Sequence, residues 1–489
     1  MTTLEAVLEG FHVARPDTEH GLVAQRDFSA GDIVVTEPAL AVVPLPPSSE
    51  DDTEVCEYCL CPFIGMTITC RHHCRLVHYC SKSCQTADWN RGHQILCAVY
   101  SNMRKQFDQM NENTFRDTLM LLKVNAAQIT QDPNADYSID AFDTLVYHRQ
   151  DDGLETDTAD IAKLVVKPLA QIYSNSNHAN SNSNMECPTT DSLQDALARF
   201  QCNNHGVYDE QMFPVGEATF VLGSMLNHSC LPNCFQMYRL RRGRRPEVVI
   251  RCAVDVKQGE QLTIGYVDPL VDRVTRRIKL RERYNFKCTC VRCSHSDSTL
   301  DDRLVHLYAD TDVTPSAKTA KTKFDALSQL ESLLGCLTNV QQFECARKVV
   351  AASHGAEILQ LYFSMTNPHS STHAEIPLKL TALFSEEEEV QYALVTLLCY
   401  LVVYPRINPL TALQLYTVTK WLWNVLDDVP DQTLAIRLLK FVCKAARHEL
   451  ELTHGLPKSS SDQPDDHSIT SLDMIEDFLQ LERFVKPLA

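Results

Sequence analysis

The sequence predicts an α+β multidomain protein: a β-rich domain interrupted by a cysteine-dense insertion and followed by a helical C-terminal domain. Three observations lead there. Short β-branched runs between glycine turns occupy residues 22–35 and return between Val215 and Tyr266, the pattern of strands. Between them, residues 56–97 hold cysteine and histidine in closely spaced pairs. Beyond about Leu300, apolar-periodic segments without strand signals read as helices.

Size and composition agree with several domains. A chain of 489 residues exceeds what one core supports, and 44% apolar with 22% charged residues is a globular balance. Met1–Gly10 carries Glu5 and Glu9 without a basic segment, so no secretory signal is expected. The twenty cysteines are then reduced, and many are metal ligands rather than disulfides. The longest apolar run, Tyr392–Tyr404, falls short of the roughly eighteen residues of a membrane span and reads as a buried helix. A net charge of −18 disfavours general nucleic-acid binding and favours basic partners. Direct DNA binding, a membrane and oligomerisation are not expected; residence in both cytoplasm and nucleus is.

Element by element, Leu22-Val23-Ala24 and Ile33-Val34-Val35 are strands, preceded by turns at His20-Gly21 and Ala30-Gly31-Asp32. Pro44–Pro47 and Glu50–Asp52 make a linker. Ser101–Lys167 is helical in pattern, with apolar Leu119, Leu122, Ile129, Phe142 and Val146, and Ser174–Asn184 reads as a mobile polar loop. Glu247–Val254 is the clearest strand, and the basic turn Arg239–Arg245 before it reads as a solvated hairpin. Farther on, Ser385 with Glu386–Glu389 fits a capped helix start, Trp421, Trp423 and Leu426 fit a core, and Lys458–His467 fits a loop.

The cysteine-dense segment reads Cys56-x-x-Cys59, Cys70-x-x-x-Cys74, Cys80-x-x-x-Cys84 and His93-x-x-x-Cys97. Zinc takes four soft donors in a tetrahedron, and a short turn or a helical i, i+4 pair delivers two of them together. Eight ligands imply two zinc ions without an open position, hence a structural or peptide-binding role. With Tyr79-Cys80-Ser81, Cys84-Gln85 and Trp89, the segment resembles the MYND zinc finger. That resemblance implies interleaved sites, Cys56, Cys59, Cys80 and Cys84 in one, Cys70, Cys74, His93 and Cys97 in the other. One extra residue between Cys70 and Cys74 leaves His72, His73 and Cys61 as substitutes for Cys70, and another extra residue precedes His93.

After the finger come Ser224-Met-Leu-Asn227-His228-Ser229-Cys230-Leu-Pro-Asn233, then Gly259-Glu260-Gln261-Leu-Thr-Ile-Gly-Tyr266, then Arg283-Tyr284-Asn-Phe286-Lys-Cys288-x-Cys290-x-x-Cys293. Order and spacing resemble the SET domain of protein lysine methyltransferases with its post-SET tail, and with the finger they resemble the SET and MYND domain family. The resemblance implies an S-adenosylmethionine cofactor held by His20, Gly21, Asn203, Asn227, His228, Tyr266 and Phe286, with Tyr266 and Tyr284 catalytic. It also implies a third zinc on Cys230, Cys288, Cys290 and Cys293, with Cys234 the competitor for Cys230. Cys202, Cys252, Cys336, Cys345, Cys399 and Cys443 are expected to be ordinary buried thiols.

The implied organisation is a SET domain split into 1–45 and 200–270, a MYND finger over 56–97, a helical insertion over 98–199, a post-SET segment over 271–295, and a TPR-like helical domain over 300–489. A lysine-containing protein or histone tail is the implied substrate, with proline-containing peptides at the finger. Two departures stand out: Glu19-His20-Gly21 replaces a pair of glycines and is expected to crowd the cofactor, and Gln261 replaces an acid. The competing reading, a non-catalytic interaction scaffold with a degenerate SET domain, rests on Glu19.

Overall fold

The computed structural model describes residues 4–15, 21–46, 53–130 (apart from 73 and 75), 141–147, 160–171, 188–294 (apart from 270 and 272), 400, 404–428 (apart from 406), 432–457 and 472–488. Glu19, His20, His73, Cys336, Cys345, Cys399, the 174–184 loop, the 385–389 helix start, the 458–467 loop and most of Tyr392–Tyr404 lie outside the described residues.

Strands from before the finger pair with strands from after it. We label β1 Val13–Ala14, β2 Leu22–Ala24, β3 Ile33–Pro38 and β4 Ala41–Pro44, then β5 to β8 for the finger strands Glu54–Val55, Pro62–Phe63, Ile68–Thr69 and His78–Tyr79. After the finger come β9 Asn204–Tyr208, β10 Pro214–Thr219, β11 Asn227–His228, β12 Cys234–Arg239, β13 Glu247–Cys252 and β14 Gln261–Ile264. Three small sheets result, in the orders β1-β2-β14-β11, β4-β10-β9 and β12-β13-β3. The antiparallel pairs β2–β14, β3–β13 and β4–β10 close the β domain across the insertion.

β13 explains its own sequence. It lies between β12 and β3, and Val248, Val249 and Ile250 are all fully buried. Side chains alternate along a strand, so Val248, Ile250 and Cys252 face the main core. Val249 faces the other way, into a cluster with Phe235, Met237, Ala253 and Ile407. A strand covered on both sides needs apolar side chains on both faces, as Val248, Val249 and Ile250 supply here.

Among the described residues of the C-terminal region, helices Pro409–Asn424, Gln432–Thr453 and Leu472–Val485 share a core of Leu415, Val418, Leu439, Val442, Leu450 and Phe478. Asn408 caps the first through Leu410 N–H, and Pro409 occupies the first turn, where its missing N–H is no loss. Trp421 and Trp423 pack at the edge of this core rather than in its centre, while Leu426 is buried.

His454 joins the helices to the β domain. Its ring is fully buried, against the Thr453 hydroxyl at 2.7 Å and the Glu210 carbonyl at 3.1 Å. Burial pulls its pKa down to about 4, and His205, enclosed beside Gln236, is likewise held at about 4 by burial. Between that value and the ordinary ~6.5 the unfolded chain binds the extra proton. The contribution is therefore complete above about pH 6.5 and lost as pH falls toward 4, up to roughly 3 kcal/mol per group. Thermal melts are expected to show Tm falling steeply across this window, and less steeply in His454→Gln.

Candidate functional site

β14 holds the site. On one side it pairs with β2, and on the other β11 runs parallel to it, Asn227 beside Thr263 and His228 beside Ile264. Asn233 clips the following loop to the same strand: its Oδ1 accepts the Thr263 N–H (2.8 Å) and its Nδ2 donates to the Gln261 carbonyl (2.8 Å). The chain thus threads 227–233 along β14 with little freedom.

Gly21 presses on this strand pair from β2's end. Its φ of +124° suits glycine, and a Cβ there would lie 2.6 Å from Asn227 Nδ2 and 2.9 Å from Gln261 Nε2. Gln261, the departure noted in the sequence, therefore lines the site beside Asn227. Gly21→Ala is expected to displace the Asn227 amide and weaken cofactor binding by about tenfold while the protein stays folded. Calorimetric titration reads this directly.

Tyr266 closes the site. Its hydroxyl donates to the Leu226 carbonyl at 2.5 Å, and its backbone N–H donates to His228 Nδ1 at 2.9 Å. Burial pushes the phenol well above its usual range, so it stays protonated. The Tyr284 ring lies 4.7 Å away and that of Phe286 6.5 Å, edge-on, with His228 6.0 Å from Phe286. Gly21, Asn227, His228, Tyr266, Tyr284 and Phe286 therefore gather at one place. Asn203, ending helix Thr190–Asn203, spends its amide hydrogens on the Val146 and Arg199 carbonyls, and its own carbonyl accepts from Ser224 Oγ.

The three predicted metal sets all assemble. Cys56, Cys59, Cys80 and Cys84, then Cys70, Cys74, His93 and Cys97, then Cys230, Cys288, Cys290 and Cys293 each bring four ligand atoms within 4.8 Å of one another. Zinc–sulfur bonds of about 2.3 Å place tetrahedral sulfurs about 3.8 Å apart, and Cys230 lies 3.5 Å from Cys293 and 3.9 Å from Cys288. Burial pushes the Cys74 thiol up to about 12, so such crowded thiols ionise together only around a dication. The donor sets fit zinc.

Cys70 belongs to its site, 3.1 Å from His93 Nε2. His72 instead stacks on Trp89 at 4.4 Å, and Cys61, whose carbonyl accepts the Cys56 N–H, is not among the four ligand atoms of either set. The extra residue before His93 falls in the turn Trp89–His93, where the helix kinks at Gly92. Cys234 faces Cys252 across the β12–β13 ladder and does not compete with Cys230.

Two sequence expectations need correction. The basic turn is more than a solvated hairpin. Arg242 and Arg244 are exposed, but Gly243 N–H donates to Cys84 Sγ at 3.2 Å and Arg245 donates to the Ala39 carbonyl. The hairpin tip thereby docks on a finger thiolate, and at φ +82° Gly243 suits it. Gly243→Pro, which lacks the N–H and cannot take that φ, is expected to speed zinc transfer from the finger to a chelator severalfold. Cys202 is not buried either: half-exposed at the end of its helix, its thiol lies 3.8 Å from the Arg283 carbonyl.

The third metal set and the tyrosine meet in one imidazole. Because His228 Nδ1 accepts from Tyr266 N–H, its proton sits on Nε2, which lies 3.3 Å from Cys230 Sγ. Burial holds this ring's pKa at about 4, consistent with the neutral form. One short strand thus reaches the Tyr266 backbone through its histidine and a metal set through Cys230.

The split β domain, the 227–233 segment clipped to β14 and the tyrosine beside it define a SET domain. The chain belongs to the SET-domain family, whose domain matches residues 19–267. Among curated relatives, the histone-lysine N-methyltransferase ASHR1 of Arabidopsis thaliana is 25% identical over 440 residues, 83% of this chain and 85% of the relative. The human N-lysine methyltransferase SMYD2 is 27% identical over 283 residues, 58% of this chain and 59% of the relative. The mouse histone-lysine N-methyltransferase SMYD3 is 27% identical over 249 residues, 50% of this chain and 53% of the relative. The chain therefore spans most of the plant relative but under two thirds of the two animal ones.

Proposed function

We propose that this protein is an S-adenosylmethionine-dependent protein lysine N-methyltransferase. The observation that carries the proposal is the fixed Tyr266, tied by its hydroxyl to the Leu226 carbonyl and by its N–H to His228, beside the Tyr284 ring. Its relatives named as lysine methyltransferases support the same reading.

The residue types fit the cofactor: Asn227 and His228 offer polar contacts, Asn203 its side-chain oxygen, its amide hydrogens being engaged, Gly21 the close backbone approach, and Phe286 a flat apolar face, with His20 next to Gly21 in sequence. When bound, S-adenosylmethionine supplies a methyl group on a positively charged sulfur. Tyr266 and Tyr284 wall the lysine channel, and Tyr266 with the Leu226 carbonyl orients the amine. The substrate ammonium must lose its proton, and its ordinary pKa of ~10.4 keeps the neutral amine scarce. Burial between aromatic rings lowers that value by desolvation, and holding the reactants in line supplies much of the remaining acceleration.

The three zinc sites serve structure, fastening the finger and the post-SET segment. The proposal extends to a histone tail or another lysine-bearing protein as substrate, proline-containing peptides at the MYND-like finger, a TPR-like C-terminal domain, a monomer, and residence in cytoplasm and nucleus. Equilibrium binding of S-adenosylmethionine to the protein tests its base. Saturable one-to-one binding is expected; absence of binding would remove the enzymatic reading and leave an interaction scaffold.

A further inference from the structure

Glu37 is a buried acid that the sequence pattern does not single out. It sits on β3, before the finger, and is 1% exposed. Its carboxylate accepts three consecutive backbone N–H groups from a segment more than 180 residues away: Val221 at 2.9 Å, Leu222 at 2.8 Å and Gly223 at 3.1 Å. Those amides open the 3-10 turn Gly223–Met225, where N–H groups have no partner within the turn itself. Charge-assisted bonds of this kind are stronger than neutral ones.

The anchored turn reaches His205 Nε2 through Ser224 Oγ at 3.3 Å and makes two contacts that bear on the site. Ser224 Oγ donates to the Asn203 carbonyl at 2.9 Å. Leu226, the next residue after the turn, presents the carbonyl that accepts the Tyr266 hydroxyl. Leu226 N–H itself reaches back to the Gly223 carbonyl, so its peptide plane follows the turn that Glu37 holds. Nothing else in the turn carries a charge.

We infer that Glu37 is a positioning residue for methyl transfer: through the turn 221–226 it aims the Leu226 carbonyl at the Tyr266 hydroxyl. This rests on the proposed function. In Glu37→Gln the amide keeps the shape but turns an N–H toward at least one of the three donors, so the turn shifts while the β domain persists.

The test uses the whole protein and four forms: wild type, Glu37→Gln, Tyr266→Phe and the double variant. Glu37→Gln is expected to lower kcat by about tenfold or more, with S-adenosylmethionine Kd within about threefold of wild type and unchanged zinc content. In the Tyr266→Phe background the same change is expected to cost less than about threefold, since no hydroxyl is left to aim at. A full, multiplicative loss in that background would overturn the inference, as would a loss confined to Kd or a Glu37→Gln enzyme equal to wild type. If Glu37→Gln does not fold, Glu37→Asp, with its charge kept and its reach shortened, is judged by the same criteria. A wild-type protein that transfers no methyl group would instead overturn the enzymatic reading, and this inference with it.

Discussion

Tyr266→Phe is expected to lower kcat by about a hundredfold to a thousandfold, the range seen when a preorganised donor is removed from a reacting centre. The ring would keep its place. It is packed against Tyr284 and Phe286 and tied through its backbone to His228, none of which needs the hydroxyl. What disappears is the 2.5 Å bond to the Leu226 carbonyl, and with it the oxygen pair that orients the amine. An unpaired buried carbonyl costs about 1–3 kcal/mol, so Tm should drop slightly while cofactor affinity changes little. Stopped-time assays with separate Kd measurements distinguish this from a binding defect; a raised Kd with unchanged kcat would assign Tyr266 to cofactor binding alone.

Cys288→Ser is expected to reduce bound zinc from three ions per chain to two and to weaken S-adenosylmethionine binding by about tenfold to a hundredfold. A serine hydroxyl is a poor substitute for a thiolate, and the remaining three donors of that set do not hold zinc well. Cys288 follows Phe286 by two residues, so releasing it frees the aromatic face beside His228. The same metal set includes Cys230, whose sulfur faces His228 Nε2. Arg292 and Arg277 also brace the segment, donating to the Cys230 and Cys293 carbonyls at 3.2 and 2.9 Å. Zinc analysis and calorimetry on one preparation read both effects. Normal cofactor affinity with two zinc ions would separate the metal from the pocket.

The metal sets were legible because zinc demands few residue types at short spacings, and even the longer Cys70–Cys74 gap left the pairing readable. Asn227, His228 and Tyr266 were legible as an ordered motif, and β13 was legible as a strand from its β-branched run Val248-Val249-Ile250. Less visible were contacts made by residues whose types carry no signal. Glu37 is a single acid within an apolar strand, and only the fold brings it to three amides of the 221–223 segment. The docking of Gly243 on Cys84 depends on where the finger lies against the hairpin, and four arginines around a glycine suggest a solvated turn more readily than a packed one. Cys202 looked like an interior thiol because cysteine is so often buried. Its place at the end of a helix decides otherwise. Ile407, which completes the second face of β13, comes from a region whose apolar pattern spoke only of helices.

The central claim is a chemical one, that the methyl group ends on a lysine side-chain nitrogen. The protein incubated with methyl-labelled S-adenosylmethionine and a lysine-rich histone-tail peptide or unfractionated basic protein, followed by acid hydrolysis and amino-acid analysis, tests it most directly. Label in ε-N-methyllysine, lost in Tyr266→Phe, is the expected result. Bound cofactor without labelled methyllysine, or equal label from Tyr266→Phe, would contradict it.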